Sequence, residues 1–247
     1  MNKYGAFCDE TYVNMHLTTE MDIPQNRESV LHFFEQVQKR YPRLRNFYAR
    51  ERSEYCLEEE KDAGGHRWVS IEPRRLSSCS MNPATFDQAI EQHCAVLDLV
   101  PFSLSISHLD CESLNITMGF DFNYRGNQND LLAEALGLIP AHEKLLEIPG
   151  TTVLGYEPSI QLALDEDCHT QCRLAFETRT NPFQVRSGEF AEEQLSVYLL
   201  VRRYDSLQQG ENFVDEMRRL SAICTNMVDN HLIEHVLRPL QQTIALK

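Results

Sequence analysis

SLNITMGFDFNY, residues 113–124, alternates strictly between two kinds of side chain. The apolar positions are Leu114, Ile116, Met118, Phe120, Phe122 and Tyr124. The positions between them are polar or small. Successive side chains of a β-strand point to opposite faces of the sheet. The stretch therefore predicts an antiparallel strand with one buried face and one polar face.

Weaker patterns of the same kind surround this strand. Alternation predicts further strands at 11–19, 47–59, 67–71, 76–80, 102–108, 160–164, 172–176 and 195–201. Apolar residues at helical spacing predict helices at 30–41, 86–97 and 211–238. Because strands follow one another with few strand–helix–strand units, the order favours an α+β fold. We expect antiparallel sheets with helices packed on one face and a long C-terminal helix.

Residues 127–155 interrupt this order with short helical segments and with Pro140, Pro149, Gly150 and Gly155. We interpret them as a linker between an N-terminal α+β half, 1–126, and a C-terminal β-β-β-α half, 156–247. One continuous domain of 247 residues is the alternative. The closing strands and helix resemble helix-grip binding folds, at the level of the fold alone.

The chain is strongly acidic. Its 23 Lys and Arg residues against 37 Asp and Glu give a formal net charge of −14, so we expect no nucleic-acid partner. The N-terminus lacks the apolar stretch of a secretory signal, and no apolar run approaches the ~18–20 residues that cross a bilayer. We therefore expect a soluble cytoplasmic protein with no membrane partner, whose eight cysteines are reduced thiols.

The last helix contains the sequence HLIEH at 231–235. This H-x-x-E-H pattern resembles the zinc motif of the inverted zincins, in which two histidines bind zinc and the glutamate is a general base. The resemblance implies zinc ligands at His231 and His235 and a catalytic role for Glu234. In that family a downstream glutamate is the third ligand. Only twelve of the 247 residues follow His235, so the motif is incomplete, and an exposed helix bend is the alternative.

The same helix contains a change of phase. Residues 213–231 form one apolar stripe with steps of three and four. From Leu232 onward the apolar residues lie roughly opposite that stripe, at about 100° per residue. The helix therefore bends or changes its packing partner near His231. We expect the chain to self-associate through this helix.

The polar face of the 113–124 strand supplies four candidate ligand contacts: Asn115, Thr117, Asp121 and Asn123. If another part of the protein covers this face, these groups would line a small-ligand pocket. If nothing covers it, they are the solvent side of a sheet.

Cys168, His169 and Cys172 also lie close together in the sequence. Structural zinc sites use a second pair of ligands, and the remaining cysteines are dispersed. The preceding acidic run, Asp165 to Asp167, indicates a hairpin turn instead.

No complete catalytic set accompanies these candidates. The sequence has no Gly-x-Ser-x-Gly elbow and no glycine-rich phosphate loop. We therefore predict a non-catalytic module that binds another protein or a small ligand. The alternative is a metal-dependent hydrolase that uses the motif at 231–235, with zinc as its cofactor.

Overall fold

A computed structural model describes residues 3–50, 54–61 and 64–247. The strands are β1 (Glu10–Thr19), β2 (Asn46–Arg50), β3 (Glu54–Glu58), β4 (His66–Glu72), β5 (Arg75–Met81), β6 (Cys111–Arg125), β7 (Ser159–Ala163), β8 (Thr170–Glu177) and β9 (Glu192–Tyr204). The α-helices are α1 (Arg27–Arg40), α2 (Phe86–Ser103), α3 (Gln128–Leu136), α4 (Pro140–Leu146), α5 (Pro182–Ser187), α6 (Phe213–Met227) and α7 (Arg238–Ala245).

The strands form one nine-stranded sheet in the order β2-β3-β4-β5-β1-β6-β9-β8-β7. All of its pairs are antiparallel. The strongly alternating strands β1 and β6 are neighbours at its centre, where Leu17 lies opposite Leu114. On the other side of β6, Ile116 lies opposite Val201 of β9. Strands from both halves of the chain thus share one sheet.

Helices α1, α2 and α6 lie over one face of this sheet. Helix α2 packs against α1, α6, β1 and β5, and α6 packs against β6 and β9. The strand residues under them are buried and apolar, as Met15 and Phe120 illustrate. We refer to this side as the helix-covered face and to the other as the open face. The predicted α+β class, with antiparallel strands, helices on one face and a long C-terminal helix, is confirmed.

Two of the predicted strands are wrong in detail. Residues 102–108 form no strand, because α2 continues to Ser103 and a short 3-10 helix follows at His108–Asp110. Alternation over so few residues cannot distinguish a strand from the end of a helix and its loop, and Phe102 is 86% exposed. The predicted strand at 47–59 is divided into β2 and β3, and residues 51–53 lie outside the described part.

The C-terminal helix changes its winding at the point where the sequence changes phase. Val228–Leu237 is π-helical and connects α6 to α7. Buried side chains recur there every four residues, at Cys224, Val228, Leu232, Val236 and Leu240. In an α-helix of 3.6 residues per turn, side chains four residues apart rotate gradually around the helix axis. The wider π turn reduces that rotation and keeps these side chains closer to one face. Four of the apolar residues after His231 therefore pack into the core of the same chain: Leu232, Val236, Leu237 and Leu240.

No helix within the described ranges is both long enough and apolar enough to cross a membrane. Helix α2, with 18 residues, carries Asp87, Glu91 and Asp98 along its length.

Candidate functional site

The zinc motif lies in the π-helical segment, with all three of its polar side chains exposed. These are His231, Glu234 and His235. Glu234 Oε2 accepts a hydrogen bond from Arg238 Nη1 at 2.7 Å. Within the described residues, no group of three or more His, Cys, Asp and Glu side chains is arranged to hold a metal ion. The structure thus adds no third ligand, and the zinc hypothesis rests on the sequence motif alone.

The Cys168–Cys172 segment forms the hairpin turn between β7 and β8. Asp165 accepts hydrogen bonds from the backbone N–H groups of His169 at 2.8 Å and Thr170 at 2.7 Å. Cys168 is exposed, whereas Cys172 is buried. Because one thiol faces solvent and the other faces the core, the two do not converge on one site.

The open face of the sheet carries most of the polar chemistry of the protein. At its centre, His16 of β1 lies opposite Ser77 of β5 on one side and Asn115 of β6 on the other. Asn115 in turn lies opposite Arg202 of β9. The His16 Nδ1 atom is 2.8 Å from Ser77 Oγ. Burial, and then the charges of Arg75 and Arg202, lower the pKa of His16 to about 4, so the imidazole is neutral at pH 7.

The four polar residues predicted on β6 have different environments. Asn115 and Asp121 are buried, Thr117 is half-buried and Asn123 is exposed. Burial raises the pKa of the Asp121 carboxyl. At about 3.4 Å per residue, the six steps from Asn115 to Asp121 span about 20 Å. One small ligand therefore cannot contact all four.

A pair of tyrosines covers the middle of β6. Gly119 lies opposite Tyr12 of β1 and opposite Tyr198 of β9. The two rings meet above it with centroids 5.9 Å apart, and Tyr198 OH donates to Glu177 Oε2 at 2.6 Å. A β-carbon on residue 119 would overlap the Tyr12 ring. Glycine is required here because an aromatic ring occupies the place of its side chain.

Buried polar atoms without a hydrogen-bond partner concentrate on this face. Among the described residues nine such side-chain atoms occur, and five of them are on the open face: Asn14 Oδ1, His66 Nδ1, Asn115 Oδ1, Asp121 Oδ1 and Arg202 Nε. Each unpaired buried group costs about 1–3 kcal/mol. Ordered water, an ion or a ligand at this surface would supply the missing partners.

A cavity of about 410 Å³ opens on this face beside β4, and we call it the Trp68 cavity. Its lining residues are Glu10, Arg50, Lys61, Gly64, Gly65, His66, Trp68, Met81 and Asn82. The position of Trp68 follows from the alternation of β4, which sends His66, Trp68 and Ser70 to the open face and Val69 and Ile71 to the core. One row of open-face residues crosses four adjacent strands, from Trp68 of β4 through Cys79 of β5 and Asn14 of β1 to Thr117 of β6.

The walls of the Trp68 cavity combine a flat aromatic surface with charged groups. The His66 ring is stacked on the Trp68 ring, with centroids 5.3 Å apart and an interplanar angle of 26°. His66 Nε2 is 3.4 Å from Glu58 Oε2. Arg50 contributes a guanidinium, which lies 5.5 Å from the centre of the Tyr48 ring. The cavity can therefore contact both a flat apolar group and a polar one.

A larger cavity of about 600 Å³ adjoins it at Gly65, His66, Met81 and Asn82. Two of the three arginines in its lining are paired with carboxylates of the same lining. Arg45 Nη2 donates to Glu60 Oε1 at 2.6 Å, and Arg67 is paired with Glu59. Because both of these pairs are closer than the contacts of Arg50 with Glu54 at 3.7 Å and Glu58 at 3.9 Å, the Trp68 cavity is the better candidate despite its smaller volume.

The residues of the Trp68 cavity were not among the site residues predicted from the sequence. One signal was available: the predicted strand at 67–71 places the only tryptophan of the chain at a position of opposite phase to its two apolar neighbours, Val69 and Ile71. The glycines at 64 and 65 and the residues at 10, 50 and 81–82 come from separate parts of the chain. Only the order of strands in the sheet brings them together.

No protein-family model matches the chain, and no curated protein matches it.

Proposed function

We propose that this protein is a non-catalytic binding module that holds a small ligand in the Trp68 cavity. The observation that carries the proposal is the cavity itself, with its stacked Trp68 and His66 rings and its few charged groups. A volume of about 410 Å³ falls in the range of about 300–1,000 Å³ that small-molecule sites occupy. Sites of that kind combine aromatic walls with a small number of polar contacts.

The nucleophiles nearest to this surface support a binding role rather than covalent catalysis. Cys56 and Cys79 lie on the open-face side of β3 and β5, and both are buried. Burial raises the pKa of both thiols. Since the thiolate is the reactive form, neither thiol is activated at pH 7.

The intrinsic fluorescence of Trp68 provides a direct test, because Trp68 is the only tryptophan in the chain. A ligand that enters the cavity will contact the indole ring and change its emission. We expect a library of small ring compounds to contain members that shift or quench this emission in a saturable manner. As a control, compounds that bind should no longer bind the Trp68→Ala variant when measured by calorimetry. A library without any saturable response would contradict the proposal.

A second candidate function, self-association, is favoured by a separate observation. Eight of the fourteen large apolar side chains that are exposed in the described part fall between residues 139 and 164. They are Ile139, Leu145, Leu146, Ile148, Leu154, Ile160, Leu162 and Leu164. Strand β7, which is wholly exposed, is an edge of the sheet and contains no charged residue. Natural edge strands are commonly protected by charge, proline or a bulge.

We therefore propose that a second copy of the chain pairs with β7 in an antiparallel manner. The sequence predicted self-association through the C-terminal helix instead. The apolar residues that motivated that prediction, such as Leu237 and Leu240, are buried within the chain. At the C-terminal end of this helix, by contrast, the side chain of Leu246 is 85% exposed.

Substitutions in β7 and at the end of the C-terminal helix distinguish between these two possible dimer interfaces. We expect Leu162→Lys to shift the protein from dimer to monomer, because it places a charge in an apolar contact. Leu246→Lys is the matched change at the end of the C-terminal helix and should leave the dimer intact. Sedimentation velocity measures both. A dimer lost only in Leu246→Lys would return the interface to the C-terminal helix, and a wild-type monomer at all concentrations would rule out both interfaces.

A further inference from the structure

The chemical class of the ligand follows from three features of the Trp68 cavity, and this inference rests on the proposed function. The first feature is shape. The Trp68 and His66 rings are stacked nearly parallel, at 26°, and Met81 lies next to them in the cavity wall. Flat π surfaces and a methionine thioether favour an aromatic ring over a bulky aliphatic group.

The second feature is the incomplete pairing of Arg50. Its Nη2 donates to Tyr48 OH at 2.9 Å. Among the described residues, its nearest carboxylate oxygens are those of Glu54 at 3.7 Å and Glu58 at 3.9 Å, both beyond the usual hydrogen-bond length of about 3.2 Å. A guanidinium has five N–H donors in a planar fork that matches a carboxylate. Arg50 therefore retains donors that an incoming carboxylate can use.

The third feature is the balance of charge around the cavity. Arg50 and Lys61 contribute positive charge to the lining, and Glu10 contributes negative charge. Glu58 adds a second negative charge beside the site, with its Oε2 atom 3.4 Å from His66 Nε2 and 3.9 Å from Arg50 Nη2. Glu10 Oε2 already accepts a hydrogen bond from Gln194 Nε2 at 2.7 Å. The chain as a whole carries a formal charge of −14, which repels anions of high charge. The acidic neighbours and the overall charge therefore favour a ligand with no more than one negative group, which Arg50 and Lys61 can balance.

We propose that the Trp68 cavity binds a flat aromatic ring that carries one carboxylate. The ring lies against Trp68 and His66, and the carboxylate accepts hydrogen bonds from Arg50. Lys61, which also lines the cavity, adds a second positive charge.

Calorimetric titration with three probes of the same shape tests the ligand class. The probes are 2-naphthoate, the neutral 2-naphthalenemethanol and the cationic 2-naphthylmethylammonium. We expect 2-naphthoate to bind roughly tenfold to a hundredfold more tightly than the neutral probe, because it gains charge-assisted hydrogen bonds. The cationic probe should bind most weakly.

Arg50→Met should remove the preference for 2-naphthoate and leave the affinity for the neutral probe unchanged. Lys144→Met, a matched change at an exposed lysine far along the chain, should alter nothing.

The possible outcomes show whether the proposed ligand class is wrong, the proposed binding function is wrong, or both are. Equal binding of the carboxylate and the neutral probe, or an undiminished preference in Arg50→Met, overturns the ligand class and leaves the cavity as a binding site. Binding that is unaffected by Trp68→Ala overturns both, because the ligand then lies elsewhere. No binding of any of the three probes also overturns the ligand class, and the wider compound library then decides the proposed function.

Discussion

Replacing Gly119 with alanine is expected to destabilise the protein by about 1–3 kcal/mol, the usual cost of inserting volume into a filled position. The added methyl group would occupy the space of the Tyr12 ring. The ring must then leave its place between β1 and β9 and lose its contact with Tyr198. Urea unfolding at pH 7 measures this loss.

Two further variants establish the cause. In a Tyr12→Ser background the ring is absent, so Gly119→Ala should cost clearly less, with a coupling energy above about 1 kcal/mol. Gly155→Ala is the matched control, because a β-carbon there meets open space, and it should change stability by less than about 0.5 kcal/mol. If Gly119→Ala costs the same with and without Tyr12, the ring does not explain the glycine.

Acidification from pH 7 to pH 5 is expected to destabilise the protein strongly through two buried histidines. Burial lowers the pKa of His93 to about 3 and that of His16 to about 4. An unfolded histidine titrates near about 6.5. Below that pH the unfolded chain takes up protons that the folded protein excludes, so stability falls as the pH falls towards 4. At pH 5 each histidine contributes a loss of about 2 kcal/mol.

The variant His93→Asn isolates one of these contributions. His93 Nδ1 lies 2.9 Å from Ser78 Oγ, and the amide of asparagine can reproduce that contact without a titratable group. The variant starts from lower stability at pH 7, but its loss between pH 7 and pH 5 should be smaller than that of the wild type by about 2 kcal/mol. His231→Asn changes an exposed histidine and should keep the wild-type slope. An unchanged slope in His93→Asn would mean that burial does not lower the pKa of His93 in the folded protein.

The sequence predicted the fold where the pattern along the chain matches the packing. The twelve alternating residues at 113–124 form most of β6, and the stripe beginning at Val30 forms α1. The prediction was wrong at 102–108, where Pro101 lies inside α2 rather than ahead of a strand. At the apolar phase change near His231 the sequence predicted a bend or a change of packing partner, and the structure has a change of helical winding there. A fixed 100° per residue describes an α-helix, whereas Val228–Leu237 follows π winding.

The candidate site was harder to predict, because it depends on the neighbours of each strand. Asn115 was identified correctly as a polar residue of the central strand, but its burial results from the side chains of β1 and β9 beside it. Trp68 and Arg50 are separated in sequence, and β4 and β2 become near neighbours only because β3 pairs with both. Periodicity assigns a side chain to a face, whereas the register between strands decides which side chains on that face meet.

Native mass spectrometry of the purified wild-type protein and of Trp68→Ala, compared after correction for the mass of the substitution, tests whether the Trp68 cavity holds a ligand. We expect the wild type to retain an organic compound of small mass and Trp68→Ala to have lost it. Equal ligand masses for the two proteins, whether both are empty or both are loaded, would contradict the claim that the Trp68 cavity is the binding site. A retained metal mass that disappears in His231→Ala would support the zinc hypothesis instead.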